Sequence, residues 1–203
     1  MKICMIAEGC YPFITGGVSS WIQSMIKSFP EHEYIILAIA ADRSYRGKYA
    51  YELPENVSAV YEVYLNDKDW SRKRRKIRLN KQEYTALRSI VLNTQTDWDT
   101  VYRMFQKDFS IDDLLMGKDF LDIATELYDK QYPEITFSDF LWTLRSIYLP
   151  LFIVLKTKLP KADVYHCVAT GYSGILGCMG KSLYGGKLLV SEHGIYGKSV
   201  KST

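Results

Sequence analysis

The chain lacks most of the features that would let it span a membrane, staple itself with disulfides or bind a structural metal. Its longest charge-free apolar stretch near the middle, Ser146–Leu155, has ten residues, and a spanning helix needs about 20. The apolar start, Met1 to Ala7, meets Glu8 at once. That run is too short for a secretory leader and has no small-residue cleavage site after it. These absences predict a cytoplasmic protein. The four cysteines, Cys4, Cys10, Cys167 and Cys178, form no C-x-x-C pair, so the expectation is buried free thiols rather than a disulfide framework. With three histidines and no cysteine cluster, a structural zinc site is not expected either. Also missing are G-x-G-x-x-G and the full G-x-x-x-x-G-K-[ST] pattern, which excludes the standard dinucleotide fingerprint and the P-loop.

What is present is an ordinary globular composition. The chain has 203 residues, 47% hydrophobic and 24% charged, enough for one domain with a sizeable core and too few for two ordinary ones. Tyrosine is in surplus, with 16 residues; its apolar body and polar tip suit clefts and interfaces. The net charge of +3 is unevenly placed. Asn66–Lys81 holds eight of the 26 basic residues and two of the 23 acidic ones, leaving 18 basic and 21 acidic elsewhere. The molecule is thus a mildly acidic domain with one basic segment. That segment reads as a solvated surface face, or as a contact for an anionic partner. Apart from Trp70 no aromatic accompanies the basic run Arg72–Arg78, so nucleic acid is not an expected partner.

The pattern along the chain is α/β. Lys2–Ala7 reads as a buried strand, Gly9 to Gly17 as a loop, and Val18, Trp21, Ile22, Met25, Ile26 and Phe29 as one helix face ended by Pro30. Glu33–Ala40 is a second buried strand, completing a βαβ unit, and Val57–Leu65 a third, with Val57, Ala59, Tyr61 and Val63 alternating. From about 81 to 158 the periodicity is helical. Tyr84 to Val91, Val101 to Phe105, Phe120 to Leu127 and Phe137 to Leu155 mark four helices, the last with Pro150 inside it, expected to kink or break near Leu149. Asp163–Val168, Gly171–Tyr184 and Lys187–Ser191 then read as strand, helix and strand.

Three places carry chemistry. The loop Glu8–Ser20 joins the first strand to the first helix, where α/β sheets bind ligands. Paired glycines at a helix start let a phosphate approach backbone N–H groups, and Ser19 and Ser20 add hydroxyls; a plain glycine turn with serine capping reads the same residues. His166 and the pair Glu192-His193 fall at the carboxyl ends of two strands, facing a ligand crevice or serving as structural polar groups. Thr170, Tyr172 and Ser173, at the start of the next helix, offer groups for an anion or a sugar hydroxyl; capping explains Thr170 equally well.

Three segments carry a family resemblance: EGCYPFITGGVSSWIQSMI from Glu8, DVYHCVATGYSGILG from Asp163 and VSEHGIY from Val190. Together they resemble the N-terminal domain of the PelF-type GT-B glycosyltransferases of family 4, and they frame positions 8 to 196. The resemblance implies a Rossmann-like parallel sheet with flanking helices, the N-terminal half of a GT-B fold. It implies a retaining transfer of sugar from a nucleotide sugar, UDP-glucose, in exopolysaccharide biosynthesis, with no cofactor or metal required. By carry-over, Gly16 and Gly17, with Val18 and Ser19, meet the donor diphosphate. His166, Glu192 and His193 line the catalytic cleft, and Thr170 and Tyr172 belong to the same ligand-binding set. Relatives often carry His-x-His where this chain has His166-Cys167-Val168. The implied partners are the nucleotide sugar, a polysaccharide acceptor, a C-terminal donor domain and membrane-bound Pel synthase components. On this expectation residues 1–196 are the acceptor-side domain with a helical insertion at about 81–158, residues 197–203 are a tail, the donor domain is absent, and the isolated domain is inactive. The competing expectation is a Rossmann-like interaction module of a polysaccharide synthase complex that does no chemistry.

Overall fold

Strand β1 (Lys2–Glu8) and strand β2 (Glu33–Ala40) are apolar apart from the charged residues at their ends, Lys2, Glu8 and Glu33, because both of their faces are covered, as parallel strands require. Cys4 and Ile6 point to one side of the sheet, and Ile3, Met5 and Ala7 to the other. The computed structural model describes residues 1–66 and 75–193. Between β1 and β2 runs helix α1 (Gly17–Ser28), and β3 (Val57–Tyr64) follows β2. Helices α2 (Lys81–Val91), α3 (Trp98–Phe105), α4 (Ile111–Leu115), α5 (Lys118–Gln131) and α6 (Phe137–Lys156) fill the middle. Strand β4 (Val164–Cys167), helix α7 (Tyr172–Tyr184) and strand β5 (Lys187–Val190) complete the described chain.

The five strands form one parallel sheet in the order β3-β2-β1-β4-β5. With seven flanking helices among the described residues, this is the α/β, Rossmann-like architecture expected from the sequence. One face is covered by α1, through Ile22 and Ile26 with Trp21 and Met25 beside them, together with Tyr11 and Phe13 of the loop that precedes it. The other face carries the larger core, where α2 to α7 pack. Helix α7 lies very close to β4. A side chain at Gly177 would put its Cβ 2.3 Å from Cys167 Sγ, and one at Gly180 would put its Cβ 2.6 Å from the Tyr165 ring. The short Gly180-Lys181-Ser182 run is therefore packed helix, not a phosphate loop.

Two expectations need correction. The alternation in β3 is broken, because the register steps from Tyr34↔Val57 to Ile35↔Ala59. Val57 consequently packs on the α1 side, while Ala59 and Val63 pack on the other. Pro150 does not break α6, which runs unbroken over twenty residues. Buried side chains on both sides of it, Phe140 and Leu144 before, Phe152 to Leu155 after, hold the helix together across the missing N–H. Half of the basic segment Asn66–Lys81, residues 67–74, lies outside the described residues. Residues 75–80 are not helical; they run along the surface, where Arg75 N donates to Asp113 Oδ1 at 2.8 Å and Leu79 N to Asp119 Oδ2 at 2.9 Å.

By length and composition α6 is apolar enough to cross a membrane, with a mean hydropathy of 1.3. Ser146–Leu155 is only its charge-free second half. Phe140, Leu144 and Phe152–Leu155 are buried in the core, whereas Trp142 and Ile147 are each 61% exposed.

Candidate functional site

Because all the strands are parallel, their carboxyl ends share one edge. The chain leaves β1 toward β2 on one side and returns through β4 and β5 on the other, so the crevice opens beyond the ends of β1 and β4. Five segments meet there: Glu8 at the end of β1, the loop Gly9 to Gly16, the first turn of α1, the β4–α7 connection, and Ser191 to His193 after β5.

The loop is tied down from both ends. Gly9, at φ 65, takes a left-handed turn that glycine adopts without strain, and its N–H donates to Ile39 O at 2.9 Å. Phe13 N and Ile14 N both donate to Cys10 O. Tyr51 reaches across from the β2–β3 connection. Its hydroxyl accepts from Gly16 N at 3.4 Å and shares a hydrogen bond with Ser20 Oγ at 3.2 Å, and its ring lies 5.3 Å from that of Tyr11. Gly16 is extended, and no side chain caps α1. A Cβ on Gly16 or Gly17 would meet nothing within 4 Å. The glycine pair therefore opens onto free space at a helix N-terminus whose N-cap residue supplies no side-chain hydrogen bond, with the Gly16 N–H directed at the Tyr51 hydroxyl. Ser19 is 1% exposed and the Ser20 hydroxyl is engaged with Tyr51, so the contribution of Val18 and Ser19 to this opening is their backbone.

His166 lies on the α1 side of the sheet, between Val164 and Val168. It is 5% exposed, shares a hydrogen bond between Nε2 and Ser191 Oγ at 2.8 Å, and meets the Trp21 ring edge to face at 5.8 Å. His193 packs on the same indole, 4.6 Å between ring centres. Burial lowers the His166 pKa, and the proximity of His193 lowers it further. The structure thus brings His166 and His193 together around Trp21, while Glu192 is exposed beside them.

The start of α7 is arranged differently from expectation. Its N-cap is Gly171, not Thr170, and that residue supplies no side chain. The cap comes from across the crevice: Glu8 Oε2 accepts from Ser173 N at 3.0 Å. Thr170 is exposed and Tyr172 half-buried, its hydroxyl pKa raised by burial and then by the charge of Glu8. Ser173 donates its hydroxyl to Ala169 O at 2.7 Å.

Three contributors escape the sequence reading: Glu8, Trp21 and Ser191. Trp21 carries a usable signal, since it lies one turn into the helix that follows the glycine pair. A family model described as a domain of unknown function, DUF3492, matches residues 1–202. No curated protein and no solved structure gives a significant match.

Proposed function

The chain belongs to the DUF3492 family, and from that premise we propose that it is the N-terminal, acceptor-side domain of a retaining GT-B glycosyltransferase of PelF type, transferring glucose from UDP-glucose in exopolysaccharide biosynthesis. The observation that carries this reading is the start of α1: an uncapped helix N-terminus at the topological switch point, fronted by Gly16 and Gly17 with open space above both. Such an end favours an anion through its free N–H groups and its dipole. In retaining transfer the leaving diphosphate gains negative charge as the sugar–phosphate bond breaks. Donors already fixed in place stabilise that charge without reorganising, an effect of several kcal/mol.

On this reading the backbone of Gly16, Gly17, Val18 and Ser19 faces the diphosphate. His166 and His193, with Glu192, face the sugar. A buried His166 kept neutral acts as a hydrogen-bond partner to a hydroxyl rather than as a cation. The nucleotide contacts fall to a second domain, and the cleft between the two keeps water from the donor. The reaction needs no metal or cofactor and takes place in the cytoplasm beside membrane-bound synthase components that receive the polymer.

The test is transfer of radiolabelled glucose from UDP-glucose by the longer protein that carries this domain. The reading expects transfer with retention at the anomeric carbon and its loss in Gly17→Val. A second reading, an interaction module without chemistry, is favoured by the exposed Trp142 and Ile147 on α6. Capture of synthase components through that face, with no transfer from any nucleotide sugar, would replace the first reading by the second.

A further inference from the structure

Two helix N-termini open at the crevice, those of α1 and α7, and in neither does the N-cap residue supply a side-chain hydrogen bond. Both offer backbone donors and the positive end of a helix dipole. They differ in what already stands there. The first turn of α1 carries no acidic residue, and Gly16 and Gly17 face open space. At α7 the Glu8 carboxylate is in place, with Oε2 3.0 Å from Ser173 N. It sits so close that a Cβ on Gly171 would lie 2.9 Å from Oε2 and 3.1 Å from Oε1. Gly171 is thus a residue without a side chain where the carboxylate needs the room.

Glu8 is not placed by chance of a loop. It is the last residue of β1, paired in register with Ile39, and the next residue, Gly9, bonds back to the same strand. The sheet therefore fixes the carboxylate at the switch point.

We propose that Glu8 is a specificity-determining residue that closes the α7 N-terminus to anions. Its carboxylate accepts from Ser173 N, offsets the helix dipole and repels a second negative group. With α1 taken as the phosphate-binding end, which rests on the function proposed above, a diphosphate then has one register in the crevice instead of two. The Glu8 side of the crevice is left to uncharged, hydroxyl-bearing parts of a ligand, for which a carboxylate is a hydrogen-bond acceptor.

The experiment titrates inorganic pyrophosphate into the isotope-labelled chain and follows the backbone amide signals of Gly17 and Val18 at α1 and of Tyr172 and Ser173 at α7. In the wild type the α1 amides should respond and the α7 amides should stay still. In Glu8→Ala the α7 amides should respond, with an apparent affinity at least fivefold tighter than in the wild type. Glu8→Gln keeps an acceptor oxygen for Ser173 N but removes the charge, and should give an intermediate response; should Glu8→Ala lose its native spectrum, this variant decides alone. A purely structural cap would change stability in these variants without creating an anion response at Ser173. The inference is overturned if the wild-type α7 amides move with the same apparent affinity as those of α1, or if folded Glu8 variants leave the α7 amides still. Silence at α1 in every variant, with a response at α7 only after Glu8 is replaced, would uphold the role of Glu8 and remove the phosphate assignment at Gly16 and Gly17.

Discussion

Gly16 and Gly17 owe nothing to backbone strain. Gly16 is extended, Gly17 is the first helical residue, and neither has a positive φ in the left-handed range. The fold has room for a side chain at both. Alanine is a better helix residue than glycine by up to about 1 kcal/mol, so Gly17→Ala should hold or raise the urea midpoint of this chain. Gly17→Val should fold as well; on the function proposed above it should cut glucose transfer by the longer protein at least a hundredfold, because the branched side chain takes the space a phosphate would use. Destabilisation by alanine would mean that the glycine serves the fold and not a ligand. His166 makes a second prediction at this scale. Burial lowers its native pKa below its unfolded value of about 6.5. Above that pH both states hold the ring neutral and nothing is lost. As the pH falls below it, the unfolded chain takes up a proton that the native state resists, so stability declines until the native pKa is passed. Paired denaturation curves at pH 7.5 and 5.5 should therefore show a smaller acid loss in His166→Gln than in the wild type, whatever the other groups contribute. An equal loss in both would argue against a depressed His166.

At the scale of elements, helix α6 carries the clearest internal conflict. Proline at position 150 lacks the N–H that would bond to the Ser146 carbonyl, and proline inside a helix costs about 3 kcal/mol relative to alanine. The helix nevertheless continues, because the residues on both sides of it are buried in the core. Pro150→Ala should restore the missing bond and raise the melting temperature by several degrees, at roughly 2–4 °C per kcal/mol for a chain of this size. An unchanged or lowered midpoint in calorimetry would mean that the packing around α6 needs the local geometry proline imposes. The same helix shows what was legible and what was not. Its apolar spacing is visible in the residues, as is that of α2, α3 and α5, since each buries one stripe against the core. Its continuity is not visible, because the local penalty of Pro150 is overruled by burial that only the tertiary structure reveals. Helix α4 is missed for a different reason. Five residues are too few for periodicity, although Ser110 and Asp113 form the capping box that marks its start. In β3 the alternation misleads because one register shift moves Val57 to the other face.

At the scale of the whole molecule, the crevice was legible as a place and not as a set of contacts. Strand ends and a glycine pair locate it from order alone, whereas Glu8 meets Ser173 and His166 meets Trp21 and Ser191 across long stretches of sequence. Periodicity assigned Trp21 to the core, and it does lie against the core on one side; its contacts with both His166 and His193 exist only in the fold. The last prediction follows from what this one crevice wall offers. On the proposed reading a complete donor site is shared with a second domain. The α1 end supplies a few backbone hydrogen bonds to a diphosphate, each worth roughly 1.5–3 kcal/mol when made to a charged group. Association costs about 4 kcal/mol or more in lost freedom, which consumes much of that gain. The 203-residue chain should therefore bind UDP-glucose no more tightly than about 1 mM, where the standard free energy is roughly −4 kcal/mol. It should neither transfer nor hydrolyse the sugar, since half a cleft excludes no water and leaves the nucleotide unheld. Calorimetry with UDP-glucose, followed by an assay for released glucose, measures both quantities. A micromolar dissociation constant, or turnover by this chain alone, would place the donor site within the wall described here and dismiss the two-domain reading.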